Sequence, residues 1–370
     1  MGAHPEKKMI KAARRVAVLM PAMEVGGAER LVLEELSILK DDPRFAFEVH
    51  LVFEKGPMFD ELAALGFPVR VWNAPHNSAY MLRTYMGLIR YLRRSRCDIV
   101  HSHLLDWSGP MAGKLSGAKV VATVHSDRNF TPLERFWLSK SDLVLGCGHA
   151  VLRNLSDFVP QGKVRALSNA VRGPDGVRVT REEILRRFGF RQESRLVLSI
   201  GRLIRDKGYD LLIEAFRRVV AEVPEAVLLI CGDGAEKDSL DGLVESAGLK
   251  DSVRLPGVVR EAREVMAACD LYVNSSRREG LPMTLLEASS CGRAMVATDT
   301  GGNPEVVRDG LTGTLVPPEN PERLAAAIIR MLRDEGLRRR AGNAASALFL
   351  SEYTIDRHCE MLAGYYESLL

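Results

Sequence analysis

No stretch of the 370 residues approaches the roughly 18 consecutive apolar positions of a membrane-spanning helix, and the longest runs, such as Ala226 to Cys231, are strand-sized. The N-terminal Met1–Arg15 has basic residues but no apolar core before a small-residue cleavage site, so no secretory leader is expected. The six cysteines, Cys97, Cys147, Cys231, Cys269, Cys291 and Cys359, contain no C-x-x-C pair, which argues against a disulfide framework or a zinc ribbon and for reduced thiols in a cytosolic protein. No two aspartates stand in D-x-D spacing. A complete G-x-G-x-x-G is also missing: Cys231-Gly232-Asp233-Gly234 stops at two glycines, and Ser199-Ile200-Gly201-Arg202 has one.

What is there is the composition of a soluble globular protein, 46% hydrophobic and 27% charged. A chain of this length exceeds one ordinary core, so two domains are expected. The net charge of +3 is uneven. Residues 1–170 hold 23 Lys and Arg against 17 Asp and Glu, and the rest hold 28 against 31. A basic first half suits an anionic partner, and it equally suits a solvated surface.

Along the chain, apolar runs alternate with helical segments. Strands are expected at Arg15–Met20, Phe47–Phe53, Val69–Trp72, Ile99–Ser102, Val120–His125 and Leu143–Gly146, and again at Leu196–Ile200, Val227–Cys231, Val253–Leu255, Leu271–Asn274 and Ala294–Thr298. Near-continuous apolar strands in β-α alternation imply parallel sheets covered on both faces. The polar stretch Asn169–Gly176 is the linker candidate. The fold class is therefore α/β, with two doubly wound, Rossmann-like domains facing each other across a cleft, residues 1–170 and 171–350. A last helix, Thr354–Leu369, carries Met361, Leu362, Tyr365 and Leu369 as an apolar stripe, and residues 351–370 are expected to pack back toward the first domain.

Chemistry concentrates after the strand Leu271–Asn274, in Ser275-Ser276-Arg277-Arg278-Glu279-Gly280-Leu281-Pro282-Met283-Thr284-Leu285-Leu286-Glu287. A helix should start near Pro282 or Met283, with proline suited to the first helical position. The free N–H groups of a first turn make an anion site, and Gly280 lets a ligand approach the backbone. A carboxylate can accept two adjacent hydrogen bonds from a vicinal diol, such as a ribose or a hexose offers. Glu279 and Glu287 flanking a phosphate-binding helix end describe a nucleotide-sugar site; an isolated pair at this spacing would read as solvated helix residues.

This stretch resembles the E-x7-E motif of the retaining family 4 glycosyltransferases of GT-B fold, and the resemblance runs nearly unbroken from Arg278 to Ile328. It implies that Glu279 lies beside the donor sugar, that Glu287 binds the ribose, and that the amides of Gly280, Leu281, Pro282 and Met283 form the cradle for sugar and diphosphate. Three further segments fit. Leu196–Gly208 carries Arg202 and Lys207, matching the family's G-R-x-x-x-x-K-G, whose two cations hold the leaving diphosphate without metal. Met23–Arg30 carries Gly26 and Gly27 before the first helix, where the family has G-G-A-E-R facing donor phosphate or acceptor; a tight strand-to-helix turn explains the glycines almost as well. His125 ends a strand, so it should enter the crevice, where the family has a histidine contacting the transferred sugar. His101 and His103 with Asp106 could be read as metal ligands, but a polar cleft wall, and for His101 a structural role, fits better.

The implied activity is metal-independent transfer of a hexose-type sugar from UDP or GDP, with no cofactor, to a saccharide or lipid-linked acceptor in bacterial surface glycan or glycolipid synthesis. The base should stack near Pro256–Arg260, around Val258. The basic, apolar helix Tyr80–Arg96, with Met81, Leu82, Tyr85, Leu88, Ile89 and Leu92 on one face, suits either packing on the sheet or peripheral contact with an anionic membrane. Nucleic acid is not expected as a partner. The alternatives are an NAD-dependent oxidoreductase, a same-fold nucleotide-sugar epimerase or phosphorylase, and a non-catalytic saccharide-binding protein.

Overall fold

The computed structural model describes residues 13–75, 78–174, 179–259 and 261–370. Residues 1–12, residues 175 and 176 of the linker candidate, and Arg260 at the end of the Pro256–Arg260 segment lie outside the described residues.

Among the described residues, one sheet contains β1 (Arg14–Met20), β2 (Phe45–Leu51), β3 (Val69–Val71), β4 (Ile99–His103), β5 (Lys119–Val124), β6 (Leu143–Gly146) and β7 (Val164–Ala166), all parallel, in the order β3-β2-β1-β4-β5-β6-β7. The second contains β8 (Arg195–Ile200), β9 (Ala226–Cys231), β10 (Val253–Gly257), β11 (Leu271–Asn274), β12 (Met295–Thr298) and β13 (Gly313–Val316), also parallel, in the order β10-β9-β8-β11-β12-β13.

The apolar strand runs form these sheets because both faces are buried. In β1, Val16, Val18 and Met20 pack with Leu31 and Leu36 of the helix Gly27–Leu39, while Ala17 and Leu19 pack with Leu88 and Leu92 of the helix Ser78–Arg94. The second sheet repeats the alternation, with Leu196 and Leu198 in one core and Val197 in another. Strand order reverses between β1 and β4 and again between β8 and β11, and a crevice opens at the carboxyl ends of the strands at such a switch point.

The chain crosses between the sheets twice, side by side. Val171 donates its N–H to the Tyr353 carbonyl at 3.2 Å, and Ile355 donates to the Val171 carbonyl at 3.3 Å. The final helix, Ile355–Ser368, lies against the first sheet. Its buried stripe differs in part from the expected one. Leu362 is buried and Tyr365 and Leu369 pack against the same core, as expected, but Met361 is exposed, and Ile355, Cys359, Ala363 and Tyr366 complete the buried face. Tyr366 packs edge-on to Phe45, with ring centroids 5.4 Å apart.

One other local expectation is corrected: Leu82 is 63% exposed and does not share the inward face of Tyr85, Leu88 and Leu92 on the helix Ser78–Arg94. The helix Met283–Ser290 starts within the expected pair, at Met283, and Pro282, with φ −73° and ψ 121°, is the capping residue before its first turn.

Candidate active site

Glu279 sits on the loop after β11, and one oxygen of its carboxylate is held by three donors. Oε1 accepts from Lys207 Nζ at 2.7 Å, Ser276 Oγ at 2.6 Å and Asn274 Nδ2 at 3.2 Å. The Glu279 side chain is 7% exposed and that of Lys207 24%. Charge-assisted bonds in such partial burial are stronger than surface pairs and fix the carboxylate in place. Lys207 reaches it from the turn Arg205–Lys207 after β8, whose next residue, Gly208, has φ +63°, and a Cβ on Gly208 would overlap the Ser275 carbonyl oxygen. The two loops interlock at a position only glycine can occupy.

Behind this pair, Asn303 donates to Asn274 Oδ1 at 3.2 Å and to the Thr298 carbonyl at 2.8 Å, joining the ends of β11 and β12. Gly301, at φ +53°, and Gly302 press the next loop against the site, and Gly302 donates to the Gly280 carbonyl at 2.7 Å.

The opposing domain meets this surface directly. A Cβ on Gly280 would lie 2.6 Å from the His125 carbonyl oxygen, and one on Gly27 would lie 2.9 Å from Met283 Cγ. Asn169 donates to the Leu281 carbonyl at 2.7 Å. The segment from Gly280 to Met283 is thus gripped by the first domain. Gly26 precedes the helix Gly27–Leu39, and the Glu29 carboxylate folds back over it; burial raises the pKa of Glu29, and the nearby Arg202 opposes the rise.

Arg202 and Lys207 are therefore not used alike. Lys207 is bound to Glu279, whereas Arg202 is exposed, makes no ion pair among the described residues and stands within electrostatic reach of Glu29. Glu287, in the second turn of the helix Met283–Ser290, has its pKa pushed up to about 7, chiefly by burial and further by Glu34 across the cleft, against Arg263 and Arg30. Glu34 itself binds Arg263 at 2.9 Å. Val258, just beyond β10, is 64% exposed.

His125 follows the end of β5 and is half-buried, its ring held on one side by a neighbouring strand. Its Nε2 lies 3.1 Å from His103 Nδ1, the two rings stack at 5.4 Å, and burial pushes its pKa down to about 4. The ring is drawn inward by the histidine on the neighbouring strand, and the backbone carbonyl is what meets Gly280. Its Nδ1 is buried and without a partner. His101 is structural, bonding Tyr366 Oη at 2.6 Å and Thr123 Oγ1 at 2.7 Å. Among the described residues, no group of three or more His, Cys, Asp or Glu is placed to hold a metal ion. No helix of the described residues is long and apolar enough to cross a membrane.

Asn274, Ser276, Asn303, Glu29 and Glu34 escaped the sequence reading. Gly301 and Gly302 had a readable signal, a glycine pair at a strand's carboxyl end, like Gly26 and Gly27 in the first domain.

Residues 25–172 match the family described as Glycosyltransferase Family 4, and residues 180–347 match Glycosyl transferases group 1. The chain is 27% identical to the lipopolysaccharide core biosynthesis glycosyltransferase LpsE of Rhizobium meliloti, over 88% of this chain and 97% of that one. It is 26% identical to N-acetyl-alpha-D-glucosaminyl L-malate synthase of Bacillus anthracis, over 78% of each. Among solved structures, Anabaena Alr3699/HepE in complex with UDP and glucose superposes with a TM-score of 0.85 at 20% identity, covering 96% of this chain and all of that one. A glycosyltransferase from Rickettsia africae superposes with a TM-score of 0.86 at 18% identity, covering 97% and 99%.

Proposed function

Because the chain joins a Family 4 domain to a group 1 domain and is a glycosyltransferase of GT-B fold, we propose that it is a retaining, metal-independent enzyme that moves a hexose-type sugar from a UDP or GDP donor to a saccharide or lipid-linked acceptor in bacterial surface glycan or glycolipid synthesis. The observation that carries this reading is the Lys207–Glu279 pair set beside the N-terminus of the helix Met283–Ser290. The first amides of a helix have no partner of their own and favour negative charge. They would receive the diphosphate, with Lys207 and Arg202 supplying the cations that a metal supplies elsewhere. Glu287 would take the ribose hydroxyls, and Val258 would border the base. Glu279, held by three donors on one oxygen, is suited to position the sugar and stabilise positive charge at its anomeric carbon.

In this mechanism the bond from anomeric carbon to phosphate oxygen breaks and the acceptor hydroxyl bonds to the same face. The acceptor's proton passes to the departing phosphate. The buried, unpartnered Nδ1 of His125 would accept or donate one hydrogen bond to the transferred sugar. The proteins it resembles do not favour the oxidoreductase, epimerase or phosphorylase alternatives.

We place the enzyme in the cytoplasm, at the inner face of the membrane. The helix Ser78–Arg94 exposes Tyr80, Leu82 and Met86 beside Arg83 and Arg90, and the helix Pro132–Lys140 exposes Leu133 and Phe136, which together suit an anionic lipid surface. Co-sedimentation with phosphatidylglycerol vesicles, lost in Leu82→Glu, tests this.

A thermal-shift screen of UDP- and GDP-sugars, followed by mass spectrometry of products with saccharide and lipid-linked acceptors, tests the function. Turnover near that of the native enzyme in both Lys207→Ala and Glu279→Ala would refute the assigned roles.

A further inference from the structure

A row of three histidines backs the site from the first domain. His101 and His103 stand two residues apart on β4, so they share one face of the sheet. The pairing of β4 with β5 sets His103 opposite Thr123, two residues before His125. His101 closes the inner end of the row, with both nitrogens bonded to hydroxyls, Tyr366 Oη and Thr123 Oγ1, and its ring 4.0 Å from that of His103. His103 is 1% exposed, and its Nε2 has no hydrogen-bond partner among the described residues. Its Nδ1 lies 3.1 Å from His125 Nε2. Of the three, His125 is the one at the crevice: it is half-buried, and its carbonyl oxygen meets Gly280.

The three rings are neutral at neutral pH. Burial first and neighbouring histidines second push His101 down to about 3, His125 to about 4 and His103 well below its usual value. Each ring then carries a single N–H, and one N–H lies between His103 Nδ1 and His125 Nε2. Two arrangements satisfy this. If His125 supplied the bond, the His103 proton would sit on Nε2, a buried donor in the sheet with no acceptor before or after a ligand binds. If His103 supplies it, His103 keeps only an unpaired lone pair, and the His125 proton sits on Nδ1, at the end of the row where a ligand arrives. Buried N–H groups left without an acceptor are rarer than buried acceptors left without a donor, so the second arrangement is favoured once an oxygen meets Nδ1.

We propose that His103 is a positioning residue for the transfer: its Nδ1–H holds the His125 ring and fixes the His125 proton on Nδ1, so that His125 donates a hydrogen bond to an oxygen of the transferred sugar. The proposal rests on the glycosyltransferase reading above.

Long-range proton–nitrogen NMR spectra of the full chain, carrying nitrogen-15 histidine, read the tautomer without altering His103; the His125 signals are those lost in His125→Asn. At neutral pH, Nδ1 should be protonated and Nε2 bare. The reverse, or protons on both, would overturn the proposal. Calorimetric titration then compares UDP and GDP with UDP-glucose, UDP-N-acetylglucosamine and GDP-mannose. His103→Leu keeps the bulk and removes both nitrogens. It should move the His125 proton to Nε2 and weaken the bound nucleotide sugar by roughly three- to tenfold, the scale of one hydrogen bond, with the affinity for nucleotide alone unchanged. His103→Asn, whose amide donates from the place of Nδ1, should recover most of the loss, which a purely structural role would not predict. Equal loss for nucleotide and nucleotide sugar, no loss, or no recovery in His103→Asn would also overturn it, while nucleotide-sugar binding by the native chain leaves the donor reading standing. No binding of any of the five probes by the native chain would remove the donor reading, and the role of His103 with it.

Discussion

Glu287→Gln offers a direct measurement of how the donor site is tuned. The Glu287 carboxyl has a pKa of about 7 in the folded chain, against an ordinary value near 4.5, because burial disfavours its charge. The difference of about 2.5 units corresponds to at most about 3 kcal/mol at 1.36 kcal/mol per unit. The folded state holds this proton more tightly than the unfolded chain. Between pH 4.5 and 7 it therefore binds more protons, and stability falls as pH rises through that window, levelling off above it. Glutamine keeps the shape of the side chain and cannot ionise, and Arg263 remains paired with Glu34 at 2.9 Å. At pH 8 without nucleotide, the variant should be more stable than the native chain by up to about 3 kcal/mol, and the gap should close by pH 4. Urea denaturation followed by circular dichroism across this range reads the effect. Parallel pH profiles, or a variant less stable at pH 8, would refute the reasoning. The same substitution should weaken nucleotide binding at pH 8, since a carboxylate accepts ribose hydroxyls better than an amide. Stability and affinity then move in opposite directions, as they do where a site is built at the expense of the fold.

Lys207→Ala should lower kcat by roughly 10²–10³-fold, the usual effect of removing one donor to developing charge, in single-turnover assays with the donor identified by thermal shift. Gly280→Ala places a methyl group 2.6 Å from the His125 carbonyl, which should force the domains apart, visible as a larger radius in X-ray scattering together with lost transfer; an unchanged radius and activity would contradict the packing. Gly301→Ala combines φ +53° with overlap on Glu279 and should destabilise by about 1–3 kcal/mol in urea titrations. Tyr366→Phe leaves the buried His101 Nδ1 without its 2.6 Å partner and should cost about 1–3 kcal/mol by the same measurement.

The fold was legible where both faces of a strand are buried, because continuous apolar runs such as Val227–Cys231 have no other use in a chain of this kind. The strands left unread, β7 and β13, each close one edge of a sheet, three and four residues long and paired on one flank only. Burial demands little of them, so their sequences carry little pattern. In the site, Glu279, Gly280 and Glu287 were readable because strand end, glycine and helix start are contiguous. What holds Glu279 was readable only in part: Asn274 and Ser276 look like any turn formers, and Lys207, singled out as a cation, stands 72 positions from the carboxylate, so nothing local announces their pairing. The direction of the His125 ring depends on His103, a residue of the neighbouring strand, and no local pattern encodes a contact between strands.

The paired crossing at Val171 and Tyr353–Ile355 also orders events during synthesis. Domains of a nascent chain ordinarily fold in the order in which they emerge. Here the first sheet cannot cover Phe45, Val16 and Leu31 on one face until Ile355, Leu362 and Tyr366 have left the ribosome. The second sheet needs nothing beyond Tyr353 for its own cores. The second sheet is therefore free to finish before the first, which waits, with an apolar face uncovered, for the helix Ile355–Ser368.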